Sequence, residues 1–243
     1  MKQPMNGFTV LEVMLALMLA TVLLSALLTV AQSATATLRQ AQALDLLSST
    51  ARHVHYELSS VVAIAGAGRD PIDAKPVTAV AGSRRETGSD VLSLQSMTPK
   101  NCFGNDNPVH GLDGRPAWWL QRNEYSVREG WRLVRTCYYG PVSHSATRQL
   151  NAATLVEGVE TLRLRFGLDT DGDRRLDHWT RANEWGREDT VIGVRVGLVL
   201  ATEQPVGATS EAGLTLFGQA HDAAEDGRAR IAPTLTFPIR GRL

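Results

Sequence analysis

The fold of this chain is decided by Gly7-Phe8-Thr9-Val10-Leu11-Glu12, which opens an apolar run that continues to about Ala31. From Phe8 the run is about 24 residues, which as an α-helix extend roughly 36 Å and can cross a bilayer once. Glu12 is the one charged residue in it. A carboxylate inside a membrane segment costs roughly 2.5–3.5 kcal/mol on insertion scales, so its presence indicates a function and a charged partner.

The nearest candidate partner of Glu12 is an amine that proteolysis would create. A cut after Gly7 would leave the amino group of Phe8 about one helical turn from Glu12, or near Glu12 of a neighbouring copy. The segment before the cut carries Lys2 and no acid, so the positive-inside rule leaves it in the cytoplasm and sends the rest of the chain outward. Ordinary secretory signals place their cleavage site after the apolar stretch, whereas here the glycine precedes it.

This order of residues resembles the class III signal of type IV pilins and of type II secretion pseudopilins. The matching residues are Lys2 in the leader, Gly7 at the cut, Phe8 at mature position one and Glu12 at position five. The resemblance implies that a prepilin peptidase cleaves between Gly7 and Phe8 and methylates the new amine. It also implies a single pass through the inner membrane and a periplasmic body. A conventional signal cleaved near Ala20 and an uncleaved signal anchor are the alternatives.

The sequence predicts a leader at 1–7, a transmembrane or fibre-core segment at 8–31 and an amphipathic continuation of the same helix at 32–65. In the continuation, apolar residues recur at steps of three and four: Leu38, Ala41, Leu44, Leu47, Ala51, Val54, Leu58 and Val61. A separate surface helix after a break near Gln32-Ser33 is the alternative. The remaining residues, 66–243, are predicted to form a β-rich globular domain large enough for its own core.

The pattern of the globular domain is typical of strands. Leu162, Leu164 and Phe166 alternate with Arg163 and Arg165, as in a half-buried strand. Strands are predicted at Val91–Met97, Ala117–Val127, Trp131–Tyr139, Leu155–Leu168, Val191–Ala201 and Arg230–Ile239, with loops at 70–88 and 203–227. A long helix followed by antiparallel strands predicts an α+β fold, in which the amphipathic half of the helix packs on an antiparallel β-sheet. The resemblance implies the same pilin-like architecture.

The sharpest polar cluster of the sequence is Asp169-Thr170-Asp171-Gly172-Asp173-Arg174-Arg175-Leu176-Asp177. Its carboxylates at steps one, three, five and nine resemble the front of a calcium loop, with a backbone carbonyl at step seven. A structural Ca²⁺ would then be bound by Asp169, Asp171, Asp173, Asp177 and the backbone of Arg175. The match is partial, because Arg174 stands at the usual glycine and Thr180 at the usual glutamate; Asp189 or Glu184 could complete the set. A plain hairpin turn is the alternative.

The acidic loop and its flanking strands narrow the resemblance. A strand at 159–167, the acidic turn at 169–173, Trp185 and a strand at 191–198 are together similar to PilW-type minor pilins of type IV pilus assembly. A Cys-x-Gly element within 101–104 is similarly placed in that group. The J-type minor pseudopilin of type II secretion shares the helix and a similar ending, and is the alternative.

The resemblance implies assembly rather than catalysis. Subunits wait in inner-membrane lipid and then pack their helices into a fibre, where Glu12 neutralises the methylated Phe8 amine of an adjacent subunit. Minor pilins of this type form a tip or priming complex with other minor pilins, from which the major pilin grows. The 25 basic and 25 acidic residues balance, so no global charge indicates nucleic acid as a partner.

The two cysteines, Cys102 and Cys137, lie in the body that the resemblance places in the oxidising periplasm. A disulfide between them would close a loop of about 35 residues and contribute roughly 4 kcal/mol in the chain-entropy model. A metal site and a catalytic thiol are less favoured alternatives, because no second ligand pair or activating partner is evident.

Catalytic and adhesive functions are the remaining alternatives. The six histidines are scattered, and no Ser, Asp and His set has a recognisable nucleophile context, which favours a protein that is not an enzyme. Aromatic residues of the predicted sheet could form the binding surface of a pilus-associated adhesin, although such residues more often pack in the core. They are Trp118, Trp119, Tyr125, Trp131, Tyr138 and Tyr139.

Overall fold

The structure is a computed structural model that describes residues 9–67, 77–80, 88–111, 113–141, 148–181, 184, 190–207 and 213–240. The predicted leader and the predicted cleavage site between Gly7 and Phe8 lie outside these residues. Trp185 and Asp189 also lie outside them.

Helix α1 spans Val10–Ala63 without interruption. Its 54 residues extend about 81 Å at 1.5 Å per residue. One continuous helix is therefore confirmed, and there is no break near Gln32-Ser33. Ile64 is the C-cap, and Gly66 follows with a φ of 83°, a left-handed conformation that ends the helix.

Among the described residues, the strands form two antiparallel sheets and a small hairpin, where the sequence predicted a single sheet. The first sheet follows chain order and consists of β1 (Val77–Val80), β2 (Val91–Thr98), β3 (Trp119–Arg128), β4 (Arg132–Gly140) and β5 (Arg148–Val156). The second consists of β6 (Val159–Asp169), β7 (His178–Thr180), β8 (Thr190–Ala201), β11 (Arg230–Ile231) and β12 (Thr234–Pro238). Its order is β11-β8-β6-β7, with β12 also paired to β8. The hairpin consists of β9 (Thr215–Leu216) and β10 (Gln219–Ala220).

Two predicted strands are split in the structure. The prediction Leu155–Leu168 joined the end of β5 to β6, but the chain turns at Gly158, whose φ is 76°. A Cβ there would collide with the carbonyl oxygen of Ala201 on β8, so the turn requires glycine. The prediction Arg230–Ile239 is divided at 232–233, between β11 and β12.

Two predicted loops contain short strands. The segment 70–88 includes β1, which pairs with β2. The segment 203–227 includes the hairpin of β9 and β10. None of these three strands is longer than four residues, so a period-two pattern has too few positions to be recognised.

One face of α1 packs into the core from Ala43 onward. Its buried residues recur at steps of three and four: Ala43, Leu47, Ala51, Val54, Leu58 and Val62. They share a hydrophobic core with the inward residues of β6 and β8, which confirms the predicted alternation in β6. Leu38 and Leu44, predicted to dock, are 62% and 41% exposed. The docked half therefore begins later than residue 32, because the domain covers the helix closely only from Ala43.

The start of β2 lies against the free edge of β6 and joins the two sheets. The Asp90 N–H donates to the Leu162 carbonyl at 2.9 Å, and the Leu164 N–H donates to Asp90 Oδ2 at 2.9 Å. The Leu162 N–H donates to the Ser89 hydroxyl at 3.2 Å. The short strand β7 pairs only with the end of β6, and Ser89 and Asp90 supply hydrogen-bond partners to backbone groups of β6 that β7 does not reach.

Candidate assembly helix, acidic loop and ion network

Glu12 is part of a capping box at the start of α1. The Thr9 hydroxyl accepts from the Glu12 N–H at 3.3 Å, and Glu12 Oε2 accepts from the Thr9 N–H at 3.0 Å. These bonds satisfy backbone groups that a helix N-terminus leaves unpaired. The Thr-x-x-Glu pattern at 9–12 is the sequence signature of a capping box. The charge of Glu12 by itself predicted only a cationic partner. Glu12 therefore also has a partner within its own chain.

The first half of α1 exposes apolar side chains all round. Each of the large ones is 48–78% exposed: Val10, Leu11, Val13, Met14, Leu15, Leu17, Met18, Leu19, Val22, Leu23, Leu24, Leu27, Leu28, Val30 and Leu38. By length and composition the helix can cross a membrane, and its most apolar stretch contains no buried residue. A helix of this kind is suited to lipid or to a bundle of similar helices rather than to water.

Cys102 and Cys137 form a disulfide, with their Cα atoms 6.0 Å apart. The bond links the loop after β2 to the buried part of β4. Asn101 stabilises the adjoining turn, because its Oδ1 accepts from the N–H groups of Phe103 and Asn105 at 2.9 and 3.2 Å. The predicted pairing is confirmed, so neither sulfur is a free thiol for metal binding or nucleophilic catalysis.

The acidic loop connects β6 to β7 as a hairpin. Asp169 is buried, and its two oxygens accept from the N–H groups of Gly172 and Arg174 at 2.7 and 3.1 Å. Asp177 Oδ2 accepts from the backbone and hydroxyl of Thr170 at 2.7 and 2.5 Å. The Thr170 hydroxyl, followed by its N–H, lowers the pKa of Asp177. These carboxylates fold the loop by accepting hydrogen bonds from it.

Three of the predicted calcium ligands lie together. Oxygens from Asp169, Asp171 and Asp177 all lie within 4.8 Å of one another, with Asp169 buried and the other two exposed. Asp173 is outside this group, and its Oδ1 accepts from the Arg175 N–H at 2.7 Å. Hard oxygen donors fit Ca²⁺, which takes six to eight of them, so backbone carbonyls and water would have to supply the remainder.

The structure also describes Arg174, which stands at the glycine position of the predicted calcium loop, and Glu184, a candidate additional ligand. Arg174 has a φ of 66°, the left-handed conformation for which a calcium loop uses glycine at this step. Glu184 accepts from the Thr180 hydroxyl at 2.9 Å and from the Arg181 N–H at 3.0 Å. It therefore holds the chain after β7 and does not belong to the group of three aspartates.

A buried ion network on β6 was not predicted from the sequence. Arg230 of β11 donates to Glu160 from Nη2 to Oε1 at 2.9 Å and from Nε to Oε2 at 3.0 Å. Arg230 also donates to the two oxygens of Asp226 at 2.9 and 2.8 Å. His221 Nε2 lies 3.1 Å from Glu160 Oε2. These residues are 61 and 70 positions from Glu160 in the chain, and no local pattern joins them.

In the same network, a threonine contacts a histidine, and the histidine contacts a carboxylate. His221 Nδ1 lies 3.3 Å from the Thr161 hydroxyl, and Nε2 faces Glu160. This order is that of a nucleophile, a base and an acid. Thr161 is only 6% exposed, however, and its hydroxyl is in contact with His221 inside the domain. The arrangement supports packing of the 213–230 segment rather than catalysis.

The aromatic residues considered for an adhesive surface do not form one surface. Tyr125 lies in the core. Trp119 and Tyr139 pair with their ring centroids 5.3 Å apart. Trp118 and Trp131 are exposed, and Trp131 is covered on one side by the guanidinium of Arg228 at 4.3 Å. Most of these rings therefore contribute to packing within the domain.

Among solved structures, a type IV-like pilin from Thermus thermophilus has a similar fold, with a TM-score of 0.50 and 16% sequence identity. The match covers 84% of this chain and 96% of that one. The predicted fold class is confirmed: the chain is an α+β protein of pilin-like architecture.

A match to a protein-family model identifies one family within this class of pilin-like proteins. The model described as PilW, type IV pilus-assembly protein W, matches residues 119–241, just over half of the chain. The chain therefore belongs to the PilW family of pilus-assembly proteins, whose members act with other pilus components. The matched region begins at β3 and contains the acidic loop and the ion network. A comparison with curated proteins finds no match.

Proposed function

We propose that this chain is a minor pilin that joins other minor pilins in a tip or priming complex, from which the major pilin of a type IV pilus grows. The observation that carries this proposal is the first half of α1, which projects from the domain and whose apolar side chains are exposed on every side. Before assembly, inner-membrane lipid would cover this surface in a single pass, with the body in the periplasm. After assembly, the helices of neighbouring subunits would cover it. The role is structural and not enzymatic.

Glu12 would determine how the helix joins its neighbours. Cleavage between Gly7 and Phe8 by a prepilin peptidase, followed by methylation, would leave a cationic amine on each subunit. An unpaired carboxylate in an apolar bundle is costly, so a cation from an adjacent subunit at Glu12 favours one register over others. The capping box gives Glu12 a second, local role at the helix start.

Three variants separate these two roles. Glu12→Gln keeps a group that can accept from the Thr9 N–H but removes the charge, whereas Glu12→Ala removes both. Thr9→Val removes the hydroxyl of the cap and leaves the charge. The measurement is co-purification of the membrane-inserted variant with its minor pilin partners, together with surface piliation. We expect both Glu12 variants to lose the partners and Thr9→Val to retain them. Wild-type assembly of Glu12→Gln would contradict the charge-pairing role.

A minor pseudopilin of type II secretion is the second candidate, because the projecting helix suits either fibre. The family match to a pilus-assembly protein favours the pilus. A pilus-associated adhesin is a weaker candidate, since most of the aromatic residues considered for its surface contribute to packing within the domain.

We further propose that the acidic loop binds a structural Ca²⁺ through Asp169, Asp171 and Asp177, supported by the proximity of their oxygens. Asp173, also predicted as a ligand, would have to move inward, and the Arg175 carbonyl would supply a further oxygen. Calorimetry on the full chain in detergent at millimolar Ca²⁺ tests this, with Asp171→Asn as the ligand variant and Asp113→Asn as a matched change in a distant loop. Heat of binding in the wild type that Asp171→Asn removes supports the site. Absence of heat in the wild type means that the loop is a plain turn.

A further inference from the structure

The outward side of the second sheet carries an array of arginines between two aromatic rings. Arg165 on β6 and Arg195 on β8 are direct cross-strand neighbours. The Arg195 guanidinium lies 4.0 Å from the centroid of the Trp179 ring, and the Arg165 guanidinium lies 5.1 Å from that of Phe217. We call these four residues the arginine face.

Glycines allow the two rings to lie on the sheet. A Cβ at Gly193 or Gly167 would approach the Trp179 ring to 3.3 or 3.2 Å, and one at Gly197 would approach the Phe217 ring to 3.0 Å. Side chains at these positions would lift the rings from the backbone. The glycines thus let each ring lie where a guanidinium can stack on it, which fixes the guanidinium plane.

The positive charges of the arginine face are not balanced by contact with carboxylates among the described residues. Arg163, the next outward residue of β6, has a carboxylate nearby, with Nη1 3.8 Å from Asp90 Oδ1. Arg165 and Arg195 have no described carboxylate within 4.0 Å. Burial is the main cause that lowers the pKa of Arg165; the charge of Arg181 lowers it further, whereas the carboxylates of Asp90 and Glu184 raise it. Opposite charges nearby therefore compensate the charge of Arg165 only in part.

Like charges directly opposite one another destabilise a sheet. Two fixed, half-buried guanidiniums that tolerate this repulsion retain N–H donors suited to paired carboxylates. Arginine and aromatic residues are also the residue types enriched in protein interfaces. A long nucleic acid or polysaccharide fits less well than a short acidic segment, because the exposed Asp171 and Asp177 lie at the adjoining end of the same sheet.

We propose that the arginine face binds an acidic segment of a partner protein, in which aspartate or glutamate carboxylates engage Arg165 and Arg195. The inference does not depend on which fibre the chain joins. It adds a contact of the globular body to the contact made by the helix.

The test uses the full chain in detergent and short poly-L-glutamate as the probe, with affinity measured by fluorescence anisotropy at low and physiological ionic strength. The variant is Arg165→Gln/Arg195→Gln, and the control with the same loss of charge is Arg115→Gln/Arg132→Gln, at two exposed arginines outside the face. We expect about tenfold weaker binding in the variant only, with salt weakening the wild-type complex.

Equal affinity of the variant and the control, or no binding by the wild type, would overturn the proposal. Tighter binding of heparin or single-stranded DNA than of poly-L-glutamate would also overturn it, because the partner would then be a polysaccharide or a nucleic acid and not an acidic protein. If the double variant does not fold, Arg195→Lys keeps the charge and loses the planar stack over Trp179. An unchanged affinity in that variant contradicts recognition by the fixed guanidinium.

Discussion

The Arg230 guanidinium on β11 is buried against the Glu160 carboxylate on β6, with Nη2 2.9 Å from Oε1 and side-chain exposures of 4% and 8%. Asp226 and His221 complete the network around this pair. The pair joins the end of the 213–230 segment to the strand that lies at the centre of the second sheet. Burying a charge costs free energy, and the attraction between the two partners offsets that cost only while both are present.

Glu160→Ala should lower the free energy of unfolding by roughly 3 kcal/mol, the lower end for a broken buried pair, because Arg230 loses one of its two carboxylate partners and keeps Asp226. Urea unfolding of the full chain in detergent, followed by circular dichroism, measures this. Glu157→Ala is the matched control, since Glu157 is exposed just before the same strand, and should change stability by less than about 0.5 kcal/mol. Similar stability of the two variants would contradict the role of the pair.

The ion network also predicts a pH dependence. Hydrogen bonds from Arg230 are the main cause that lowers the pKa of Asp226 from 3.8 to about 2. The ionised Asp226 therefore stabilises the folded chain fully above its unfolded pKa, and this contribution is lost as the pH falls from about 4 to about 2. Wild type and Asp226→Asn should differ in stability at pH 5 and converge at low pH. A difference that stays constant across this range would be inconsistent with the lowered pKa.

Arg174→Gly should stabilise the acidic loop. A side chain at a φ of 66° costs roughly 1–2 kcal/mol, and the greater unfolded-state freedom of glycine offsets about 0.4–1 kcal/mol of this. A net gain of up to about 1 kcal/mol is expected in thermal unfolding. Gly172→Ala, at a φ of 82°, should have the opposite sign. Destabilisation by Arg174→Gly would show that the arginine side chain contributes more than its strain costs.

The double variant Cys102→Ser/Cys137→Ser should lose about 4 kcal/mol of stability, because the loop of sequence separation 35 is no longer closed in the unfolded state. A reduction-dependent mobility shift of the wild type that is absent from the variant gives a direct readout. Labelling of both cysteines by a thiol reagent in the purified, unreduced protein would argue against the bond.

Local patterns predicted the parts of the fold that depend on local chemistry. The apolar run from Phe8 and the alternation of Leu162 with Arg163 are repeated signals, and they gave the helix and β6. The turn at Gly158 could not be read in this way, because its need for glycine comes from the distant Ala201 carbonyl. The point at which α1 begins to dock, Ala43, likewise depends on how far the sheets extend along the helix.

The same distinction between local patterns and long-range contacts applies to the candidate sites. The acidic loop is contiguous in sequence, so its local pattern predicts one site that includes Asp169, Asp171 and Asp177, whose oxygens lie within 4.8 Å of one another. The Glu160, His221 and Arg230 network and the cross-strand pair Arg165 and Arg195 depend on strand register across distant segments. Register is set by the packed sheet as a whole, which a single sequence does not display.

The most direct test of the central claim is deletion of the gene in its native host, complemented with wild type or with Glu12→Gln. Surface pili with twitching motility, and hydrolases secreted into the medium, are scored in the same cultures. A minor pilin predicts that deletion abolishes pili and leaves secretion intact, and that wild type but not Glu12→Gln restores the pili. Loss of secretion with pili intact would contradict the account and assign the chain to the secretion pseudopilus.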